Sequence, residues 1–118
     1  MKELSALVID EDVAVCESLC QLLRLLDIRA RPAFNPQAAR LCLGENPPDL
    51  IFLSNCIKNE SWIQIMENLQ GGAKLSRLPV VLVSDGGACP EMDSVIDVIL
   101  RPASLEAVEK CLRKTGYY

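Results

Sequence analysis

At 118 residues the chain is one domain, long enough to bury a single core. Half of it is hydrophobic and 24% charged, as in soluble globular proteins, and a net charge of −4 with scattered lysines and arginines argues against direct nucleic-acid binding. No apolar run approaches the ~20 residues that span a bilayer, which excludes a membrane-spanning helix, and Met1-Lys2-Glu3-Leu4 leads into no secretory signal.

Residues 4–9 are a short apolar run that predicts a buried central strand, and the run stops at Asp10-Glu11-Asp12. A helix is expected over residues 13–26, with Val15, Leu19, Leu22, Leu23 and Leu26 on one face. Residues 28–33 predict strand two. There Arg29 and Arg31 alternate with Ile28 and Ala30, and Pro32 lacks an N–H donor, so this strand belongs at a sheet edge. Asn35-Pro36 sets a second helix start, a cap followed by proline at the first helical position. That helix runs through Ala38, Ala39, Leu41, Cys42 and Leu43, and Gly44 is expected to stop it. Pro47-Pro48 introduces strand three, residues 50–53, and Ser54 closes the run.

A third helix is expected over residues 61–69, with Trp62, Ile63, Ile65, Met66 and Leu69 as its core face and Gly71-Gly72 at its end. Pro79-Val80-Val81-Leu82-Val83 is the most β-prone stretch of the chain and gives strand four. Residues 84–94 contain Gly86, Gly87 and Pro90 and leave room for one helical turn at most, near 90–93, so a fourth helix is shortened or absent. Asp85 is expected to open an Asp-Gly-Gly turn at that point, the alternative being a carboxylate returned to the strand ends. Residues 95–100 are strand five. Arg101-Pro102 breaks it, Ser104 caps the last helix, and Leu105, Val108 and Leu112 are expected to face inward.

Strand and helix thus alternate, which predicts an α/β fold with a doubly wound parallel sheet in the order 2-1-3-4-5. In such sheets the functional crevice lies beyond the carboxyl ends of the strands. Those ends carry Asp10-Glu11-Asp12, Ser54, Ser84-Asp85 and Arg101-Pro102, so the residues of interest converge. Six cysteines (Cys16, Cys20, Cys42, Cys56, Cys89 and Cys111) form no C-x-x-C, and the chain has no histidine. A mixed Cys/His zinc site is excluded and a four-cysteine site has no local spacing to support it. Buried, reduced thiols in a cytosolic protein are expected, and the i, i+4 spacing of Cys16 and Cys20 is what a core-facing helix stripe produces.

With that pattern laid out, residues 1–118 resemble the receiver domain of bacterial two-component response regulators. Four marks carry the resemblance: Val8-Ile9-Asp10-Glu11-Asp12; Pro47-Pro48-Asp49-Leu50-Ile51-Phe52-Leu53 and the position after it; Pro79-Val80-Val81-Leu82-Val83-Ser84; and Arg101-Pro102. The resemblance implies a flavodoxin-like five-stranded fold. It also implies a site in which two acidic residues and a phosphoacceptor aspartate hold Mg²⁺, a lysine contacts the phosphate, and a Ser/Thr hydroxyl relays the change to the last strand and its flanking helices. Asp10 and Glu11 match the acidic pair and Ser84 the switch hydroxyl. Ser54 stands where the phosphoacceptor belongs, so both the nucleophile and an anionic metal ligand are missing. Arg101 takes the lysine position, which changes shape while keeping charge. Val98 replaces the usual aromatic, Lys58 a usual proline, and the stretch from Ser84 to Arg101 is short by about five residues, more than one helical turn.

The expectation is an atypical, degenerate receiver, a pseudo-receiver: a cytoplasmic, non-enzymatic signalling module that acts by phosphorylation-independent protein–protein interaction. Its partner or output domain docks through strand five and the last helix, with the loop of residues 86–94 and a basic rim at Arg113 and Lys114. The resemblance also admits a homodimer through this face. No cofactor is expected, and cation binding at the vestigial acidic pocket of Asp10 and Glu11 is weak or lost. Arg101 is expected to pair with Asp10 or Glu11 in place of metal and phosphate. Ser54 as a phosphoserine lacks an adjacent base. The alternative is a receiver-like domain switched by a small ligand or another modification, at Ser54 or Ser84 in the strand-end crevice. No Gly-rich phosphate loop supports a nucleotide-type site, since Gly86-Gly87 precedes no strong helix. A thiol-based sensor is a further reading. Tyr118 follows closely on the last helix, which suits the N-terminal domain of a longer regulator.

Overall fold

The computed structural model describes residues 3–54, 78–86 and 95–115. Their core is a five-stranded, all-parallel sheet in the order β2-β1-β3-β4-β5. The strands are β1 (Ser5–Ile9), β2 (Arg29–Ala33), β3 (Leu50–Ser54), β4 (Val80–Ser84) and β5 (Val95–Leu100). Three helices are described: α1 (Val13–Leu25), α2 (Pro36–Glu45) and α3 (Leu105–Lys114). This is the doubly wound architecture expected from the alternation of short apolar runs and amphipathic segments. The expected helix over 61–69, the single turn near 90–93, and Cys56, Lys58, Trp62 and Cys89 lie outside the described residues.

The strand periodicity of two divides the core in half. Ala6 and Val8 of β1, Leu50 and Phe52 of β3, and Val81 and Val83 of β4 share one cluster with α1 and α3. Leu7 and Ile9, Ile51 and Leu53, and Val80 and Leu82 point the other way and share a second cluster with α2. Alternate residues therefore serve opposite layers. This is why β1, β3 and β4 read as unbroken apolar runs with no polar face.

Asp12 caps α1, its Oδ1 accepting from the Val15 amide at 3.1 Å. The deeply buried stripe of α1 is Cys16, Leu19, Cys20 and Leu23, while the expected Val15, Leu22 and Leu26 are only half-buried. The two cysteines are thus core residues. The helix ends where the amides of Asp27 and Ile28 turn back to the carbonyls of Arg24 and Leu23, with Asp27 left-handed at φ 62°. β2 follows at the edge, bonded only to β1 among the described strands, with Pro32 opposite Val8.

Asn35 caps α2 by accepting from Ala38 N at 2.8 Å. Gly44 does not stop this helix: α2 runs through it to Glu45, and Asn46 ends it with its amide on Cys42 O. The Pro47-Pro48 pair that follows prevents further extension, so the glycine sits one residue inside the true end. At the start of β3, the Asp49 carboxylate accepts from Ser5 N at 2.9 Å and ties the entry of β3 to that of β1. Ser104 caps α3 through Ala107 N, and Val108, Cys111 and Leu112 are its buried face. Leu105, expected to face inward, shares the stripe of Val108 and Leu112 but is 39% exposed because it stands on the first turn, at the rim of the surface the helix covers.

Candidate functional site

Parallel pairing puts every strand's carboxyl end on one edge of the sheet. Ile9 pairs with Leu53, Ser54 with Val83, and Ser84 with Leu100. The residues following or closing these strands (Asp10, Ser54, Ser84 and Arg101) therefore form a row in sheet order. Asp10, Ser54 and Ser84 are the buried polar residues of the described structure, at 3%, 1% and 1% exposure. An apolar sheet that drives three polar side chains under cover at one edge marks that edge as its special place.

The acidic arm is built by the turn from β1 into α1. Asp10 N donates to Ala33 O at 3.0 Å, and Asp10 Oδ1 accepts from Asp12 N at 2.9 Å. Burial pushes the Asp10 carboxyl above its usual range. The Asp12 amide and the Arg101 guanidinium pull it back, and the charges of Asp12 and Glu11 raise it further, leaving a net upward shift.

The opposite arm comes from β4 and β5. Arg101 N donates to Ser84 O at 2.9 Å, and Ser84 Oγ accepts from Gly86 N at 3.0 Å. Gly86, at φ 109°, takes a backbone conformation that a side chain resists, and this brings its amide back onto the serine. The Arg101–Pro102 peptide is cis. The Arg101 side chain is 18% exposed, and its Nη2 lies 3.6 Å from Asp12 Oδ2. The ion pair thus forms one residue beyond the expected Asp10 or Glu11. Asp12 is placed to receive it because it stands at the helix cap, where one carboxylate oxygen serves the helix and the other faces the pocket.

Sequence spacing names the strand ends that the topology brings into one row and groups Asp12 with Asp10 and Glu11 as a cation site or helix start, but it does not pair Asp12 with Arg101. The signal was present, since an Asp before an apolar helix is a cap. Its second oxygen becomes meaningful only once Arg101 is across from it. Among the described residues no three His, Cys, Asp or Glu side chains converge as a metal set. The oxygen donors at the strand ends are Asp10, with one oxygen bonded to an amide, Glu11, Asp12, with one oxygen on the helix cap, and the hydroxyls of Ser54 and Ser84.

A depression of about 710 Å³ opens at the other end of the sheet, lined in part by Arg24, Arg29, Arg31 and Asp27. Its arginines are committed: Arg24 donates to Ala30 O, Arg31 to Asn46 O, and Arg29 pairs with Glu3 at 3.8 Å. This groove lies away from the row of strand ends.

The thiols lie elsewhere. Cys16 Sγ donates to Val8 O at 3.4 Å, and its hydrogen bond with the Cys20 thiol together with burial pushes its pKa strongly up. Cys111 is pushed up to about 12 by burial and the nearby Asp97 carboxylate. Both are poor nucleophiles as placed.

No family model matches the sequence, and no curated protein matches it. Solved structures do. A CheY-like response regulator receiver domain from Methylobacillus flagellatus superposes with a TM-score of 0.86 at 17% identity, covering 97% of this chain and 99% of that one. The chemotaxis response regulator CheY4 of Vibrio cholerae gives 0.85 at 10% identity, over 97% and 99%. A two-component response regulator from Clostridium difficile gives 0.77 at 20% identity, over 96% and 95%. The described residues have the fold of these receiver domains.

Proposed function

We propose that this chain is an atypical receiver-type module of two-component signal transduction, one that works by docking to a protein partner independently of phosphorylation. The carrying observation is Ser54. β3 delivers a hydroxyl with 1% exposure to the strand end at which the resemblance expects an aspartate. An acyl phosphate forms only on a carboxylate. A serine would need a base to become a nucleophile, and the chain contains no histidine. The reading is therefore non-enzymatic.

Mg²⁺ fits this donor set poorly. It demands near-octahedral oxygen ligands and dehydrates reluctantly. Here one Asp10 oxygen already accepts an amide, and the third arm is a neutral hydroxyl. Cation binding at Asp10 and Glu11 is accordingly weak or lost.

The docking surface on this reading surrounds the β5 edge. Val98, Leu100 and Leu105 are 43%, 65% and 39% exposed on β5 and the first turn of α3, and Arg113 and Lys114 are exposed at its last turn. Apolar side chains at a sheet edge with a basic rim suit a protein partner, an output domain, or a second copy of the chain. A net charge of −4 weighs against nucleic acid, and no helix among the described residues is long and apolar enough to cross a membrane. A reducing cytoplasm fits thiols that the fold buries without pairing. The reading with a ligand or modification in the crevice has less support, since both candidate hydroxyls are buried.

The test is exposure of the protein to acetyl phosphate and Mg²⁺, followed by intact mass. An unchanged mass supports the reading; a hydroxylamine-sensitive phosphoryl adduct overturns it. Leu100→Glu, analysed by light scattering and partner pull-down from the native host, is expected to abolish association while leaving the fold intact.

A further inference from the structure

We propose that Arg101 is the resident cation of the strand-end pocket: its guanidinium, held against Asp12, takes the electrostatic place of an added divalent ion and ties the end of β5 to the start of α1. The proposal deepens the docking reading and rests on it in one respect, namely that Ser54 leaves the pocket a carboxylate short.

The contacts form a continuous bridge. Asp10 Oδ1 holds Asp12 N at 2.9 Å, and Asp12 Oδ1 holds the first turn of α1 through Val15 N at 3.1 Å. Asp12 Oδ2 faces Arg101 Nη2 at 3.6 Å. The Arg101 amide in turn donates to Ser84 O at 2.9 Å, and Ser84 Oγ accepts from Gly86 N at 3.0 Å. The bridge runs from β1 across the pocket to the segment after β4. Asp10 and Asp12 each make a second contact, and Arg101 is anchored through its backbone amide.

The charges make the same case. Three acidic residues stand in succession at the end of β1, and Arg101 is the basic residue at the facing strand end. A guanidinium is more weakly hydrated than an ammonium, so it enters a half-buried site more readily. It cannot lose its proton, so the counterion is permanent, whereas a metal ion comes and goes. Its presence repels a dication from the carboxylates it already serves. The pocket is thereby held in one charge state, as a module that signals by docking requires.

A double-mutant cycle separates this role from ordinary packing. Asp12→Asn keeps an oxygen for the helix cap and removes the charge. Arg101→Gln removes the other charge. Each single variant is expected to lower the Tm by about 4 °C, and the double variant to fall no further than either. Mg²⁺ titration at fixed ionic strength, read by amide shifts and by Tm, is expected to show affinity about 10-fold higher in Arg101→Gln than in the wild type. Arg101→Lys, which keeps the charge, is expected to stay at the wild-type level. Additive Tm losses, or equal Mg²⁺ affinity in the wild type and Arg101→Gln, overturn the assignment. Should Arg101→Gln not fold, Asp12→Asn decides: a Tm equal to that of the wild type overturns it. Phosphoryl uptake is read separately on the wild type, so a phosphorylated protein with a coupled cycle removes the docking reading and leaves the role of Arg101 standing.

Discussion

Replacing Ser54 with aspartate puts the pocket's electrostatics to a direct test. The Ser54 side chain is 1% exposed and sits on β3, between strands β1 and β4. Asp10, at 3% exposure, ends the neighbouring strand with its carboxyl already raised by burial and by Glu11 and Asp12. An added carboxylate would be a second buried negative charge at one sheet edge, with Arg101 already facing Asp12. An unpaired buried charge of this kind destabilises by about 3 kcal/mol at neutral pH. The sign with pH follows from linkage. Both carboxyls would have folded pKa values above their unfolded ones, so the penalty is full at neutral pH and fades as pH falls through the folded pKa. On the proposed receiver reading the new carboxylate would also add the metal ligand that Ser54 does not provide. With about 10 mM Mg²⁺ and a Kd of about 1 mM, binding would return about 1.4 kcal/mol. Urea denaturation followed by circular dichroism, at matched ionic strength, measures each quantity. Ser54→Asn is the neutral control of the same size, expected to lose about 1 kcal/mol. A metal-free Ser54→Asp protein within about 0.5 kcal/mol of Ser54→Asn at neutral pH would refute the picture of a charge-crowded pocket, since a difference that small is what substitutions without a buried-charge penalty give.

Asp10→Asn keeps the oxygen that accepts from Asp12 N while removing the buried charge. The wild type should lose the Asp10 contribution as pH rises from 3.8 through the raised folded pKa, and Asp10→Asn should be the more stable protein at neutral pH, with that slope removed. Gly44→Ala is expected to stabilise by about 0.5 kcal/mol, because the glycine lies inside α2 and nothing stands within 4 Å of an added Cβ. Of the four described thiols, the half-buried Cys42 should alkylate in the native state, whereas Cys16, Cys20 and Cys111 should react only after unfolding, as peptide mapping after iodoacetamide would show.

The sheet was legible because β1, β3 and β4 are each flanked on both faces, a condition that writes itself into sequence as an uninterrupted apolar run. β2 was legible as an edge because Arg29, Arg31 and Pro32 are poorly suited to a central position. The row of strand ends followed from topology alone. Other features depend on geometry that spacing does not carry. Asp10, Glu11 and Asp12 are alike as letters, and only the turn into α1 decides that Asp12 meets Arg101. Spacing on α1 supports both an aliphatic face of Val15, Leu19, Leu22, Leu23 and Leu26 and a core-facing Cys16–Cys20 pair, and only packing decides that the cysteines lie deep with Leu19 and Leu23 while Val15, Leu22 and Leu26 stay half-buried. Leu105 looked inward by periodicity, yet the first turn of a helix stands at the rim of the surface it covers.

The clamp between Asp49 and Ser5 joins residues 44 apart in the chain. Residues 5–33 hold β1, α1 and β2 as one contiguous unit, but the middle of the sheet closes only when β3 arrives from beyond α2. Parallel pairing of distant segments makes folding slower than in a helical protein of this length, because the loop must close before its contacts reward it. The β1–β3 seam is therefore the expected kinetic bottleneck. A polypeptide emerging from the ribosome would remain without its central pairing until residue 54 is clear of the exit tunnel, whatever the fate of the segments that follow.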